Sequence, residues 1–196
     1  ITLGQNQSTA FYIFMNILKD LLLHVCCAPC SGGIIETLLE EGTPPALYFY
    51  NPNIHPLDEY ERRKAEIKGF AMKKGLDWVD ADYDPDQWSM KVKGLEGEPE
   101  RGLRCQACFD MRLERAALYA HEHGFKVLAT TNGIARWKDA AQVRKAGVRA
   151  VSPYPGLNFL DRDWRKAGGM ERMKLVTVTE GFYQQKYCGC IYSIKK

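Results

Sequence analysis

At 196 residues, 45% of them apolar, the chain is long enough to bury a core of its own, and one domain that needs no disulfide staples is expected. A net charge of +3 and a pI near 8.4 permit nucleic-acid binding without announcing it. No run of about 18 apolar residues is present, and the short patch over residues 11–18 has no small-residue cleavage site. Neither a membrane span nor a secretory signal is expected, and the predicted setting is the cytoplasm.

Residues 1 to 14 lack the periodic pattern of the rest and precede Met15, so they are read as a disordered leader or added residues, with a single α/β domain over residues 15 to 196. Leu21 to Val25 is a near-continuous apolar run, as in strands buried on both faces, and is predicted to be the central strand. Ser31-Gly32-Gly33 should then open a helix through Ile34, Ile35, Leu38 and Leu39. A Gly-rich turn of that kind can cradle a phosphate, although three residues alone are a weak signal. Leu47 to Tyr50 is predicted as the second strand, leaving into the turn-rich Asn51-Pro52-Asn53-Ile54-His55-Pro56, and helical spacing runs from Leu57 to Lys74. Trp78 to Ala81 reads as a third strand. Lys91 to Arg104, glycine- and charge-rich, is expected to form a mobile lid. A long helix follows from Cys105 to His123, then a fourth strand from Lys126 to Thr130 and a helix near Met170 to Val178. Strands alternating with helices argue for a parallel, doubly wound α/β sheet with helices on both faces. Its C-terminal extension must fold back across the sheet edge to close a metal site.

The seven cysteines fall in three short motifs: Cys26, Cys27 and Cys30, then Cys105 and Cys108, then Cys188 and Cys190. Packing would scatter them; clustering in a reducing compartment points to metal or redox chemistry. A four-iron cluster or a tetrahedral zinc takes four thiolates, which leaves three for a second metal that a carboxylate could complete. Cys26 and Cys27 are neighbours, and successive side chains of an extended segment leave on opposite faces, so these two sulfurs are expected to serve different centres. Cys105 and Cys108 share one face of a helix's first turn, and Gly189 lets the backbone around Cys188 and Cys190 approach a cluster.

These residues carry a resemblance to a known family. His24-Val25-Cys26-Cys27-Ala28-Pro29-Cys30, the stretch Tyr50 to Pro56, Arg104-Cys105-Gln106-Ala107-Cys108-Phe109-Asp110 and Tyr187-Cys188-Gly189-Cys190-Ile191-Tyr192-Ser193 are similar to motifs of the epoxyqueuosine reductase QueH family. The resemblance implies an oxidoreductase that removes the epoxide oxygen of epoxyqueuosine in tRNA without cobalamin. It also implies a Rossmann-like fold of HUP type and a four-iron, four-sulfur cluster beside a single metal ion, iron, with tRNA as substrate and an unidentified electron donor. Asp110, two residues past Cys108 on the same helix, is the first candidate for the carboxylate ligand, and His24, His55 and Tyr192 are candidate proton donors. Arg101, Arg104, Arg136 and Lys138 are expected to contact RNA, with Trp137 or Tyr187 stacking on a base. Two rivals are an ATP-dependent tRNA thiolation enzyme, suggested by the Ser31-Gly32-Gly33 turn, and a zinc-stapled RNA-binding module without activity.

Overall fold

The structure, a computed structural model, describes residues 20–194; the leader expected over residues 1 to 14 lies outside them. Five parallel strands form one sheet in the order β3-β2-β1-β4-β5. They are β1 Leu21–His24, β2 Ala46–Phe49, β3 Trp78–Asp80, β4 Val127–Thr130 and β5 Asn158–Phe159. Between and after them run α1 Ala28–Glu40, α2 Leu57–Lys73, α3 Pro85–Lys91, α4 Leu103–Glu122, α5 Ala140–Val151 and α6 Gly169–Thr179. No helix among the described residues is long and apolar enough to cross a membrane.

The first strand shows no polar alternation because both of its faces are covered. Leu21, Leu23 and Val25 pack with Ile34, Ile35 and Phe70 of α1 and α2, while Leu22 packs with Leu113 and Ala116 of α4. Each leucine buried this way contributes about 1.5–3 kcal/mol. Strand order reverses at β1, which pairs with β2 on one side and β4 on the other, and the carboxyl ends of β1 and β4 therefore flank a crevice. The segments leaving those two strands carry Cys26 and Cys27, and Thr131 and Asn132.

Three local expectations are corrected. First, α1 begins at Ala28 with Pro29 in its opening turn, so Ser31, Gly32 and Gly33 lie inside the helix and form no phosphate loop. Their smallness serves packing instead. A Cβ on Gly32 would stand 2.8 Å from Phe182 and Val176, and one on Gly33 would stand 2.9 Å from the Met173 backbone nitrogen of α6. Second, the stretch expected as a lid is tied down. The buried Arg104 guanidinium donates to the carbonyls of Leu95 at 3.3 Å, Glu96 at 2.8 Å and Glu98, and the Glu98 carboxylate accepts the Leu103 N–H at 2.9 Å. Third, α3 and β5 were not foreseen. Asp84 caps α3 by accepting the Gln87 N–H at 3.0 Å, with Pro85 next, a start signal present in the sequence. By contrast β5 is two residues long and has no apolar run to mark it.

The tail does fold back over the sheet edge. The His55 N–H donates to the Gly189 carbonyl at 2.8 Å, and Arg63 donates to the carbonyls of Cys188 at 3.0 Å and Tyr187 at 3.3 Å. Gly189 has φ +116°, and a Cβ there would meet Ile54 at 3.0 Å and Arg63 at 3.1 Å, so the crossing requires glycine.

Candidate metal centre

Cys26, Cys27 and Cys30 come together where β1 turns into α1. Their sulfurs all lie within 4.8 Å of one another, the one such group of three metal-ligating side chains among the described residues. The Cys26 and Cys27 sulfurs are 3.7 Å apart, which corrects the expectation that these neighbours diverge. Alternation holds only while the chain is a strand; β1 ends at His24, and Cys27 is already the N-cap of α1. Thiolates around one tetrahedral ion sit ~3.8 Å apart, given metal–sulfur bonds of about 2.3 Å, so this triad fits a single ion. Hydrogen bonds from Cys27 and Cys30, with help from Lys138 and Arg112, hold the Cys26 thiol well below the usual range. The same hydrogen bonding to Cys26 pushes Cys27 up to about 12 and Cys30 upward. The shared sulfur contacts thus favour one thiolate over three, and a bound cation would favour the others.

Cys105 and Cys108 of α4 meet Cys188 and Cys190 of the tail around a second cavity. No three of these four sulfurs approach within 4.8 Å of one another, a spread wider than one ion needs and in keeping with a polynuclear centre. Burial raises the Cys105 thiol and pushes Cys190 up to about 12. Three buried N–H donors on residues lining this cavity, Trp88 Nε1, Arg104 Nε and Arg112 Nε, have no hydrogen-bond partner among the described residues. Leaving such groups bare costs about 1–3 kcal/mol each, and the acceptors an iron–sulfur core carries would satisfy them.

Lys138 stands between the two sulfur groups. Its ammonium is 3.7 Å from Cys26 Sγ and 2.7 Å from Asn132 Oδ1, and the residue also lines the four-thiol cavity. The Arg112 guanidinium donates to Asn132 Oδ1 at 3.1 Å and to Asn51 Oδ1 at 2.6 Å. Among the described residues neither Lys138, Arg112 nor Arg104 has a carboxylate within ion-pair distance, although all three are buried. Buried cations without carboxylates call for other anions, and thiolates are the anions at hand.

Of the other singled-out residues, Arg101, Arg104 and Trp137 line the four-thiol cavity, where the Arg101 backbone N–H donates to Cys105 Sγ at 3.2 Å, whereas Asp110, His24, His55 and Tyr192 are not on that lining. Asp110 follows Cys108 by two helical positions, about 200° around α4, and its carboxylate accepts from Arg149 of α5 at 2.6 Å and from Gln106 at 3.2 Å. His24 is fully buried, its Nε2–H donating to the Tyr50 carbonyl at 3.1 Å and its Nδ1 accepting from the Thr130 hydroxyl at 2.9 Å. Burial, seconded by the Arg112 charge, pulls this imidazole down to about 3, so it is neutral and structural at pH 7. His55 packs its ring on Trp88 and its Nδ1 faces the Asn53 carbonyl at 3.0 Å, while Tyr192 lies under the Arg104 guanidinium and outside the cavity lining. Of the expected RNA-contacting cations, Arg104 and Lys138 are buried; Arg101 and Arg136 are exposed, as is the Trp137 ring, with the Arg101 guanidinium donating to the Arg136 and Trp137 carbonyls. Tyr187 packs its ring against the Arg63 guanidinium. Sequence reasoning gives no site role to Trp88, Arg112, Asn132 or Gln185, whose Nε2 lies 2.9 Å from Cys27 Sγ; of these, Asn132 is expected at the same sheet edge as the first cysteine motif, and it is there. Lone polar residues far apart in sequence gave no signal that they would meet.

The sequence model of the family described as epoxyqueuosine reductase QueH matches residues 21–196. The chain is 54% identical over 175 residues to a protein named epoxyqueuosine reductase QueH from Acinetobacter baylyi, covering 89% of this chain and 80% of that protein. A like-named protein of Haemophilus influenzae is 54% identical over 177 residues, covering 90% and 72%. One from Thermotoga maritima is 30% identical over 180 residues, covering 90% and 91%. Neither a thiolation enzyme nor a zinc-stapled module is supported by these relatives, and the chain belongs to the epoxyqueuosine reductase QueH family, a family of oxidoreductases.

Proposed function

We propose that the chain carries out its family's reaction with tRNA as substrate, using two metal centres held by its seven thiolates. Cys105, Cys108, Cys188 and Cys190 would hold a four-iron, four-sulfur cluster, and Cys26, Cys27 and Cys30 a single ion, iron. The carrying observation is the division of the thiols into a compact three and a wider four, with Lys138 between them. The epoxide takes up two electrons and two protons, both carbon–oxygen bonds to that oxygen break, a carbon–carbon double bond forms, and water leaves. When bound, the cluster supplies single electrons from an external donor, and the lone ion supplies Lewis acidity toward the oxygen.

The chain's own residues do the rest. Lys138 and Arg112 offset the negative charge that thiolates leave in a dry site. The tail crossing, fixed by His55, Arg63 and Gly189, covers the sulfurs and excludes water. Exposed Arg136, Lys166, Lys174 and Lys186 offer charge for phosphates, so tRNA binding should weaken as salt rises. Reduced thiols of this kind fit the cytoplasm.

The test is iron and sulfide quantification with a visible spectrum on protein purified without oxygen, followed by assay on tRNA bearing epoxyqueuosine. About five irons and four sulfides per chain with ATP-independent turnover are expected. Zinc without sulfide, or a strict need for ATP, overturns the proposal.

A further inference from the structure

Cys26 and Cys27 each have a nitrogen donor on them, Lys138 and Gln185 respectively, whereas Cys30 lines an open groove of about 400 Å³. That volume is within the range of small-molecule sites. Cys30 is on the lining of this groove, whereas Cys26 and Cys27 are on neither this lining nor that of the four-thiol cavity.

One wall of the groove is the loop from Ile134 to Lys138, and it is clamped from both sides. Arg165 donates to the carbonyls of Ala135 at 2.7 Å and Lys138 at 2.8 Å; Arg101 donates to those of Arg136 at 2.7 Å and Trp137 at 3.3 Å. The other walls are apolar and amide in character, Met170 and Met173 on α6 and Gln184 and Gln185 on the tail. Gln185 Oε1 is buried and has no donor among the described residues, and the exposed Arg136 and Lys174 add two positive charges to the lining.

We propose that this groove admits the epoxide-bearing side arm of the substrate nucleoside, so that the reacting carbons reach the Cys26–Cys27–Cys30 site past Cys30. The methionines face the apolar part of the arm's carbocycle, Gln185 Oε1 accepts from one of its hydroxyls, and Arg136 and Lys174 take the flanking phosphates. This rests on the reaction proposed above.

The experiment measures iron and sulfide content, affinity for epoxyqueuosine-bearing tRNA, and KM against kcat in three variants. Gln184→Trp fills the groove from an exposed position; it should keep metal, sulfide and spectrum while weakening tRNA affinity and raising KM tenfold or more. Lys174→Glu should weaken affinity and make its salt dependence shallower by about one contact. Glu122→Trp, exposed at the C-terminal end of α4 and away from both thiol groups, should leave affinity within twofold. Loss of affinity in Glu122→Trp with Gln184→Trp unaffected overturns the groove, as does an unchanged KM in Gln184→Trp. A wild-type protein inactive on this tRNA counts against the reaction itself, whereas an active wild type with an equally active Gln184→Trp counts against the groove alone.

Discussion

The Lys138 ammonium lies 3.7 Å from the Cys26 sulfur in a pocket that leaves the residue 7% exposed. Burial favours the neutral amine, but Cys26 and then Cys188 outweigh it and raise the lysine above its ordinary value. Three thiolates around a dication leave one net negative charge, which Lys138 offsets in a medium that screens poorly. Lys138→Met should therefore lower the affinity of the triad for its ion by roughly 10–100-fold, a range typical of lost supporting contacts around metals. Sulfide content should stay constant. Competition with a chelator during anaerobic iron titration reads this out, and unchanged affinity would remove Lys138 from the account.

Single cysteine replacements should divide the metals in the same way the structure divides the sulfurs. Cys27→Ser should lose the lone ion and keep sulfide; Cys108→Ser should lose sulfide and the visible absorption of a cluster. A Cys27→Ser protein without sulfide would mean that the two groups are not separate centres.

Asp110→Asn should retain both metals, because its carboxylate is engaged by Arg149 and turned toward α5. Arg149 is 50% exposed, so the ion pair is screened, and stability should fall by no more than ~1 kcal/mol. Iron loss in this variant would restore Asp110 as a ligand.

How much of this was legible in the sequence follows from which interactions are local. The apolar run Leu21 to Val25 and the 3.6-residue spacing over Leu57 to Lys74 report burial directly, and both elements stand where they were read. The thiol motifs could be counted but not apportioned, because the decisive bend occurs at Cys27, where strand geometry stops and a helix cap begins. Asp110 illustrates the opposite error. Nearness along the chain to Cys108 is a different thing from sharing its face of α4. Ser31-Gly32-Gly33 misled for a related reason, since glycine marks close approach without saying what approaches, and here it is the α6 backbone.

That last point is testable through Gly33→Ala. The added methyl would meet the Met173 backbone at 2.9 Å, and backbone cannot swing aside as a side chain can. Overpacking of this kind costs about 1–3 kcal/mol. For a domain of this size that corresponds to a Tm lower by roughly 2–10 °C. A Tm equal to or above that of the wild type would mean that α6 can ride over the methyl and that glycine serves something other than packing.

His24 gives the fold a predictable acid sensitivity. Unfolded, its imidazole should take up a proton near pH 6.5, whereas in the fold burial and Arg112 hold it down to about 3. Between those values the unfolded chain binds a proton that the folded chain refuses, so stability is complete above pH 6.5 and falls as pH drops toward 3. The slope from this one group reaches at most ~1.4 kcal/mol per pH unit. His24→Gln, which cannot titrate, should be less stable at pH 7.5, having lost bonds to Thr130 and the Tyr50 carbonyl, yet lose less stability on acidification. Urea unfolding of reduced, metal-free protein at pH 7.5, 6 and 5 compares the slopes without interference from metal release. Parallel slopes for the two proteins would show that His24 is already charged in the fold, which its two hydrogen-bond partners and complete burial argue against.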